Sequence, residues 1–167
     1  MNLILTGMPA SGKSCMGRAL AKKLKMKLVD TDRLIESNTG RLLQDIINTD
    51  GLDAFKKIEE ETLLSIEGDN MIISTGGSAV YYDNAMLHLK SIGAVVYLYV
   101  GVDLIKKRLG DFSKRGVVLK PGQTIDDLYD ERTALYEKYA DIVINCNGNA
   151  YPKYQASLID ALKNHTK

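Results

Sequence analysis

The sequence predicts an α/β domain, one parallel β-sheet of five strands with helices on both faces. Three observations lead there. A short apolar run, Asn2-Leu3-Ile4-Leu5-Thr6, is followed at once by Gly7-Met8-Pro9-Ala10-Ser11-Gly12-Lys13-Ser14 and then by a helical pattern. Four further short apolar runs alternate with stretches of helical period. Strands joined through helices form parallel sheets whose crossovers cover both faces. Finally, carboxylates and glycines stand where these runs end, the edge at which open α/β sheets bind ligands.

The first element is the most specific. Gly7 to Ser14 reads G-x-x-x-x-G-K-[ST], the phosphate-binding P-loop, with a strand before it and a helix after it. Its glycines let the backbone bend around phosphate, and amide N–H groups at the positive end of the helix then converge on the anion. Gly7, Ala10, Ser11, Gly12, Lys13, Ser14 and Cys15 are the candidate nucleotide-binding residues. Lys13 is expected to reach the β- and γ-phosphates, and the Ser14 hydroxyl to ligand Mg²⁺. A chance glycine turn is the alternative; four matching positions in the right context stand against it. Cys15 is expected to be a small buried residue. ATP and Mg²⁺ are thus the implied cofactors.

The helix runs from Lys13 to about Lys25, with Met16, Ala19, Leu20 and Leu24 on one side. A second strand, Lys27-Leu28-Val29, ends in Asp30-Thr31-Asp32. Asp30 can hold Mg²⁺, and Asp32 can accept a hydrogen bond from an acceptor hydroxyl; a plain helix N-cap before Arg33 is the alternative for this pair. Gly40 ends that helix, and Leu42, Leu43, Ile46 and Ile47 mark another. Gly51 opens a third, to about Glu67, with Phe55, Ile58, Leu63 and Ile66 inward. Lys56, Lys57, Glu59, Glu60 and Glu61 read as its solvated side, where Lys56 and Glu59 can pair.

Met71-Ile72-Ile73-Ser74 is a third strand, apolar enough to be buried on both faces. It ends in Thr75-Gly76-Gly77-Ser78, where two glycines indicate either close approach of backbone to a ligand or a tight turn. Asp83 is expected to cap a helix through Leu89. Residues 94–99 form the fourth strand, and Asp103 to Leu109 another helix. Residues 110–123 have no period and contain three glycines, a proline and Lys114-Arg115. A long irregular stretch beside a phosphate site reads as a lid that brings a cation over the transferring group, or as a surface loop. Thr124 caps a helix to Tyr139 that holds Arg132, Asp141 to Ile144 is the fifth strand, and Tyr151 to about Asn164 closes the chain.

Bulk properties narrow the partners. The 167 residues suit one domain spanning 1–167, and a formal net charge of +1 gives no electrostatic reason for a nucleic-acid or membrane partner. No signal peptide or membrane span is read, so the expected compartment is the cytoplasm. Two cysteines, Cys15 and Cys146, lack metal-ligand spacing. A small-molecule acceptor and a monomeric chain are expected.

The order of motifs resembles the shikimate kinase family. That family reads P-loop, D-T-D, F-R-x-I-E, G-G-G, a lid with R-P-L-L, and R-x-x-L-Y. Here stand Gly7 to Ser14, Asp30-Thr31-Asp32, Phe55-Lys56-Lys57-Ile58-Glu59, Gly76-Gly77-Ser78, Arg115-Gly116-Val117-Val118 and Arg132-Thr133-Ala134-Leu135-Tyr136. The resemblance implies a three-layer P-loop fold with strand order 2-3-1-4-5, acceptor-side helices at about 31–67 and a mobile lid at about 110–123. It implies ATP-dependent phosphorylation of a shikimate ring hydroxyl, in the making of chorismate for aromatic amino acids. By the same analogy Asp32 binds the accepting hydroxyl, Gly76 and Gly77 line the acceptor, and Lys56 and Arg132 hold its carboxylate. Arg115 closes over the phosphates as a catalytic cation beside Lys13, and Arg108 lies against adenine. Three positions depart from the pattern: Lys56 replaces an arginine, Ser78 the third glycine and Gly116 the lid proline. Lysine is a point charge without the arginine fork, a loss of ~1–3 kcal/mol when a second hydrogen bond goes unmade. The alternatives are a kinase of the same fold acting on another small hydroxylated metabolite, and a nucleotide-binding domain without turnover.

Overall fold

The computed structural model describes residues 1–110, 117, 119–148 and 151–165. In chain order it contains β1 (Asn2–Thr6), α1 (Lys13–Leu24), β2 (Lys27–Asp30), α2 (Thr31–Thr39), α3 (Leu43–Asp50), α4 (Leu52–Leu64), β3 (Met71–Ser74), α5 (Asp83–Ile92), β4 (Gly93–Tyr99), α6 (Val102–Leu109), α7 (Ile125–Tyr139), β5 (Ile142–Asn145) and α8 (Tyr151–His165). A short 3₁₀ turn, Ala79–Tyr81, precedes α5. The strands form one parallel sheet in the order β2-β3-β1-β4-β5, as the resemblance implies.

β1 is central, paired with β3 on one side and β4 on the other, and every one of its residues is buried. Leu3 pairs with Ile72 and Ile4 with Ile73 and Val95, so successive side chains feed opposite faces. Leu5 lies on the α1 side, where Gly17 lets the helix approach; a Cβ there would come within 3.6 Å of Leu5 and 3.0 Å of Leu28. Tyr97 of β4 stacks on Tyr136 of α7 with ring centroids 5.1 Å apart. A second, smaller apolar cluster of Ile35, Ile46 and Phe55 holds α2, α3 and α4 together. That separate core lets these helices form one wall of a cleft whose floor is the C-terminal edge of the sheet.

At two helix ends the departure from expectation has a local physical reason. α4 stops at Leu64 rather than near Glu67, because the Ser65 hydroxyl donates to the Thr62 carbonyl at 2.8 Å and takes over a helix-end acceptor. Asp83 begins α5 without capping it. Its carboxylate instead accepts from Lys138 Nζ at 2.9 Å and from the Tyr139 hydroxyl, tying α5 to α7. The Thr124 cap holds, as a reciprocal capping box with Asp127.

Candidate active site

A cavity of about 920 Å³ opens between the P-loop and the α3–α4 wall. Its lining includes Ala10, Gly12, Lys13, Ser14, Cys15, Asp30, Asp32, Lys56, Gly76, Gly77 and Arg132. Most of the residues singled out in the sequence therefore meet in one place, from six different elements or their edges.

The P-loop forms one end. Gly12 sits in the left-handed region (φ 99°) and turns the chain into α1. The first helical bond runs from Met16 N–H to Gly12 O at 2.9 Å, so the N–H groups of Lys13, Ser14 and Cys15 precede the ladder at the positive helix end. This cradle, with its lysine, fits the phosphates of a nucleotide. Gly7 closes the start of the loop against β4, where a Cβ would lie 2.9 Å from the Leu98 carbonyl. Ser11 is buried behind the loop, its N–H on Met8 O at 3.1 Å. Cys15, expected to be buried, is exposed: the buried side of α1 carries Met16, Gly17 and Leu20, and Cys15 falls on the other side.

Ala10 also has positive φ (62°), although it carries a Cβ. A left-handed L-residue costs roughly 1–2 kcal/mol, while glycine costs about 0.4–1 kcal/mol in unfolded-chain entropy. Ala10→Gly is therefore expected to stabilise the fold by up to about 1 kcal/mol, a rise of roughly 2–4 °C in Tm at this size. Calorimetry checks this; a fall in Tm would contradict it.

Lys13 is buried, and its ammonium donates to the Gly7 and Met8 carbonyls at 2.7 and 2.8 Å. Burial pulls its pKa down to about 8, against the opposing pull of Asp32. Phosphates favour the ammonium, so above pH 8 the free protein must take up a proton as nucleotide binds. ATP affinity is then expected to fall with rising pH, approaching about tenfold per pH unit. Titration calorimetry in buffers of different ionisation enthalpy reads that uptake; a flat affinity across this range would contradict it.

The carboxylates stand beside the loop. Asp30 is the N-cap of α2, its Oδ1 accepting from Arg33 N–H at 3.3 Å, so the capping alternative holds for Asp30. It lines the cavity all the same. Asp30 and the exposed Ser14 offer hard oxygen donors of the kind Mg²⁺ takes while keeping phosphate and water ligands. Asp32 lies one residue into α2. Burial raises its pKa, the neighbouring Asp30 charge raises it further, and Lys13 partly offsets both. Between them Thr31 is fully buried and accepts the Gly76 N–H at 3.1 Å. The middle residue of D-T-D thus fastens the glycine turn to β2, a role the sequence reading did not assign.

The glycine turn needs its glycines because side chains press on it. A Cβ at Gly76 would lie 2.7 Å from Glu59 Oε1 and 3.0 Å from Asp32 Oδ1; one at Gly77 would lie 2.9 Å from Arg132 Nη1. The Gly77 carbonyl accepts from the Tyr136 hydroxyl at 2.7 Å. Arg132 is buried, with its Nε 3.4 Å from the Tyr81 hydroxyl and its guanidinium 5.4 Å from that ring's centre. Among the described residues no carboxylate forms an ion pair with it.

Glu59 corrects the sequence reading. It is 1% exposed, not solvated, and accepts hydrogen bonds from Ser78 and Tyr82. Phe55, Glu59, Thr62 and Leu63 share the buried side of α4, a 3.6-residue pattern that was present in the sequence behind the run of acids. Lys56 pairs with Asp53 at 3.8 Å instead of with Glu59, and its side chain is half exposed at the cavity rim. Arg108 lies behind the P-loop, donating to the Ala10 carbonyl at 3.2 Å and the Gly148 carbonyl at 3.3 Å. Arg115 lies outside the described residues, as does half of the expected lid (111–116 and 118); Val117, Leu119 and Lys120 line the cavity.

The chain is similar to known proteins along nearly its whole length. The family model described as shikimate kinase matches residues 9–163. A shikimate kinase of Clostridium botulinum (strain 657 / Type Ba4) is 36% identical over 170 residues, covering 99% of this chain and 96% of its own. Among solved structures, the shikimate kinase of Acinetobacter baumannii in complex with shikimate is 30% identical, with a TM-score of 0.86 over 98% of this chain and 93% of that one. The Aquifex aeolicus shikimate kinase superposes with a TM-score of 0.88 at 28% identity, covering 99% and 98%. With the P-loop, the paired carboxylates and the glycine turn in one cleft and a match along nearly the whole chain, this protein belongs to the shikimate kinase family.

Proposed function

We propose that this protein transfers the γ-phosphoryl group of ATP to a ring hydroxyl of shikimate, with residues 1–167 acting as one kinase domain. Shikimate kinases are ATP-dependent enzymes that use Mg²⁺. The observation that carries the acceptor assignment is Arg132: a buried guanidinium in the same cavity as Lys13 and Asp32, without a carboxylate partner among the described residues. A buried cation of this kind gains most from an anionic ligand. An acceptor with both a carboxylate and a hydroxyl spans from Arg132 to Asp32 beside the glycine turn.

In this reading Asp32 accepts a hydrogen bond from the attacking hydroxyl and receives its proton as the new O–P bond forms. The bond between the β–γ bridging oxygen and the γ-phosphorus breaks, and ADP leaves. Lys13 and the α1 amides hold the phosphate oxygens on which charge spreads. Bound Mg²⁺, held by Ser14 and Asp30 with phosphate and water, supplies further charge neutralisation. Arg115 supplies the lid cation and Arg108 borders the adenine; Gly76 and Gly77 line the acceptor. Lys56 acts from the rim by charge alone. The enzyme works as a monomer in the cytoplasm on a small molecule, without nucleic acid or membrane; among the described residues no helix is long and apolar enough to cross a membrane.

A coupled assay of ADP release with Mg²⁺ and ATP, in the presence of shikimate, quinate or gluconate, tests the assignment. A large rise specific to shikimate is expected. ATP binding without stimulation by shikimate would overturn it and favour another acceptor or a binding domain.

A further inference from the structure

Glu59 is a buried carboxylate with an unusual set of partners. Ser78 Oγ lies 2.9 and 2.7 Å from its two oxygens, and the Tyr82 hydroxyl donates to Oε2 at 2.8 Å. Both donors are neutral, and among the described residues no lysine or arginine forms an ion pair with Glu59. Lys56, one helical turn away, is engaged with Asp53. Burial raises the Glu59 pKa and the two hydroxyls pull it back; of the weaker influences, the Asp32 charge raises it and Arg132 lowers it.

The position of Glu59 matters more than its burial. It presses on Gly76, while Arg132 presses on the adjacent Gly77. A buried carboxylate and a buried guanidinium thus flank one two-residue turn. Their mutual attraction favours a direct pair, and such a pair would occupy the cation that an acidic acceptor needs. Ser78 and Tyr82 bracket the 3₁₀ turn Ala79–Tyr81, so their hydroxyls approach Glu59 from the side of that turn.

We propose that Ser78 and Tyr82 are positioning residues that set acceptor affinity: their hydroxyls hold the Glu59 carboxylate off Arg132 and keep that guanidinium available to the acceptor's carboxylate. Ser78 stands where the family pattern has a third glycine, which could not supply this hydroxyl. The inference rests on the shikimate reading given above.

The test compares wild type, Ser78→Ala, Tyr82→Phe and the double variant, with shikimate and its methyl ester as acceptors. In the double variant KM for shikimate is expected to rise about tenfold or more, the loss of two hydrogen bonds to a charged group. KM for ATP and kcat stay within about twofold, the methyl ester is affected far less, and Ser78→Thr in the Tyr82→Phe background recovers most of the loss. The single variants shift in the same direction and keep the test open should the double variant not fold. Equal losses for acid and ester, or an unchanged KM for shikimate, would overturn the inference alone. A wild-type enzyme indifferent to shikimate would overturn the functional reading with it.

Discussion

Asp32→Asn is expected to lower kcat at least about a hundredfold, while KM for ATP changes little. The substitution keeps the shape of the side chain and removes its charge and its capacity to take a proton. Asp32 is suited to that work because burial and the nearby Asp30 lift its pKa, with Lys13 restraining the rise. A more basic carboxylate is the better proton acceptor for an alcohol. The same shift fixes the sign of the pH dependence. Asp32 takes up its proton at a higher pH than an ordinary aspartate, so turnover falls as pH drops through that raised value. In the asparagine variant this acid limb disappears from what activity remains. Single-turnover quench experiments with shikimate and saturating ATP separate the chemical step from binding. Wild-type rates in the variant would remove Asp32 from the mechanism.

Arg132→Ala is expected to raise KM for shikimate about a hundredfold or more, since two charge-assisted hydrogen bonds contribute on the order of 1.5–3 kcal/mol each. Arg132 forms no ion pair among the described residues, so most of the loss falls on the acceptor, with a smaller cost at the buried Glu59 carboxylate, whose charge Arg132 helps to hold. The contact with Tyr81 is the main packing sacrificed. Arg132→Lys recovers only part of the affinity, because an ammonium lacks the planar fork. Lys56→Ala, by contrast, changes KM no more than about threefold: it is half exposed and already paired with Asp53, and exposed charge pairs are worth little. Steady-state kinetics on the three variants rank the two cations. A larger effect at Lys56 than at Arg132 would reverse the assignment.

The legible parts of the sequence are those where one residue type is needed for one local reason. The P-loop, Asp30-Thr31-Asp32 and Gly76-Gly77 each combine a strand end with a backbone or charge requirement, and they meet in the cavity as the strand pattern predicts. The sheet was legible because the five apolar runs are short and separated by helical periods. The Glu59 environment was not. In Phe55-Lys56-Lys57-Ile58-Glu59-Glu60-Glu61 the charges outnumber the apolar positions, and a buried acid is paid for by partners at residues 78 and 82, distant in sequence. Only the spacing of Glu59 from Phe55 and Leu63 hinted at the inward side. The exposure of Cys15 was missed for the converse reason: a small apolar residue has no charge to show which side of α1 it occupies. Ala10 bore no signal either, since an alanine in left-handed backbone looks like any other until its φ is known.

The most direct test of this function is to follow both products of one reaction, wild-type enzyme with Mg²⁺, ATP and shikimate, by mass spectrometry and phosphorus NMR. ADP and a monophosphorylated shikimate ester are expected in equal amounts, both formed at least about a hundredfold more slowly when Asp32 is replaced by asparagine. ADP without the ester, or an ester formed equally well on quinate or gluconate, would contradict it.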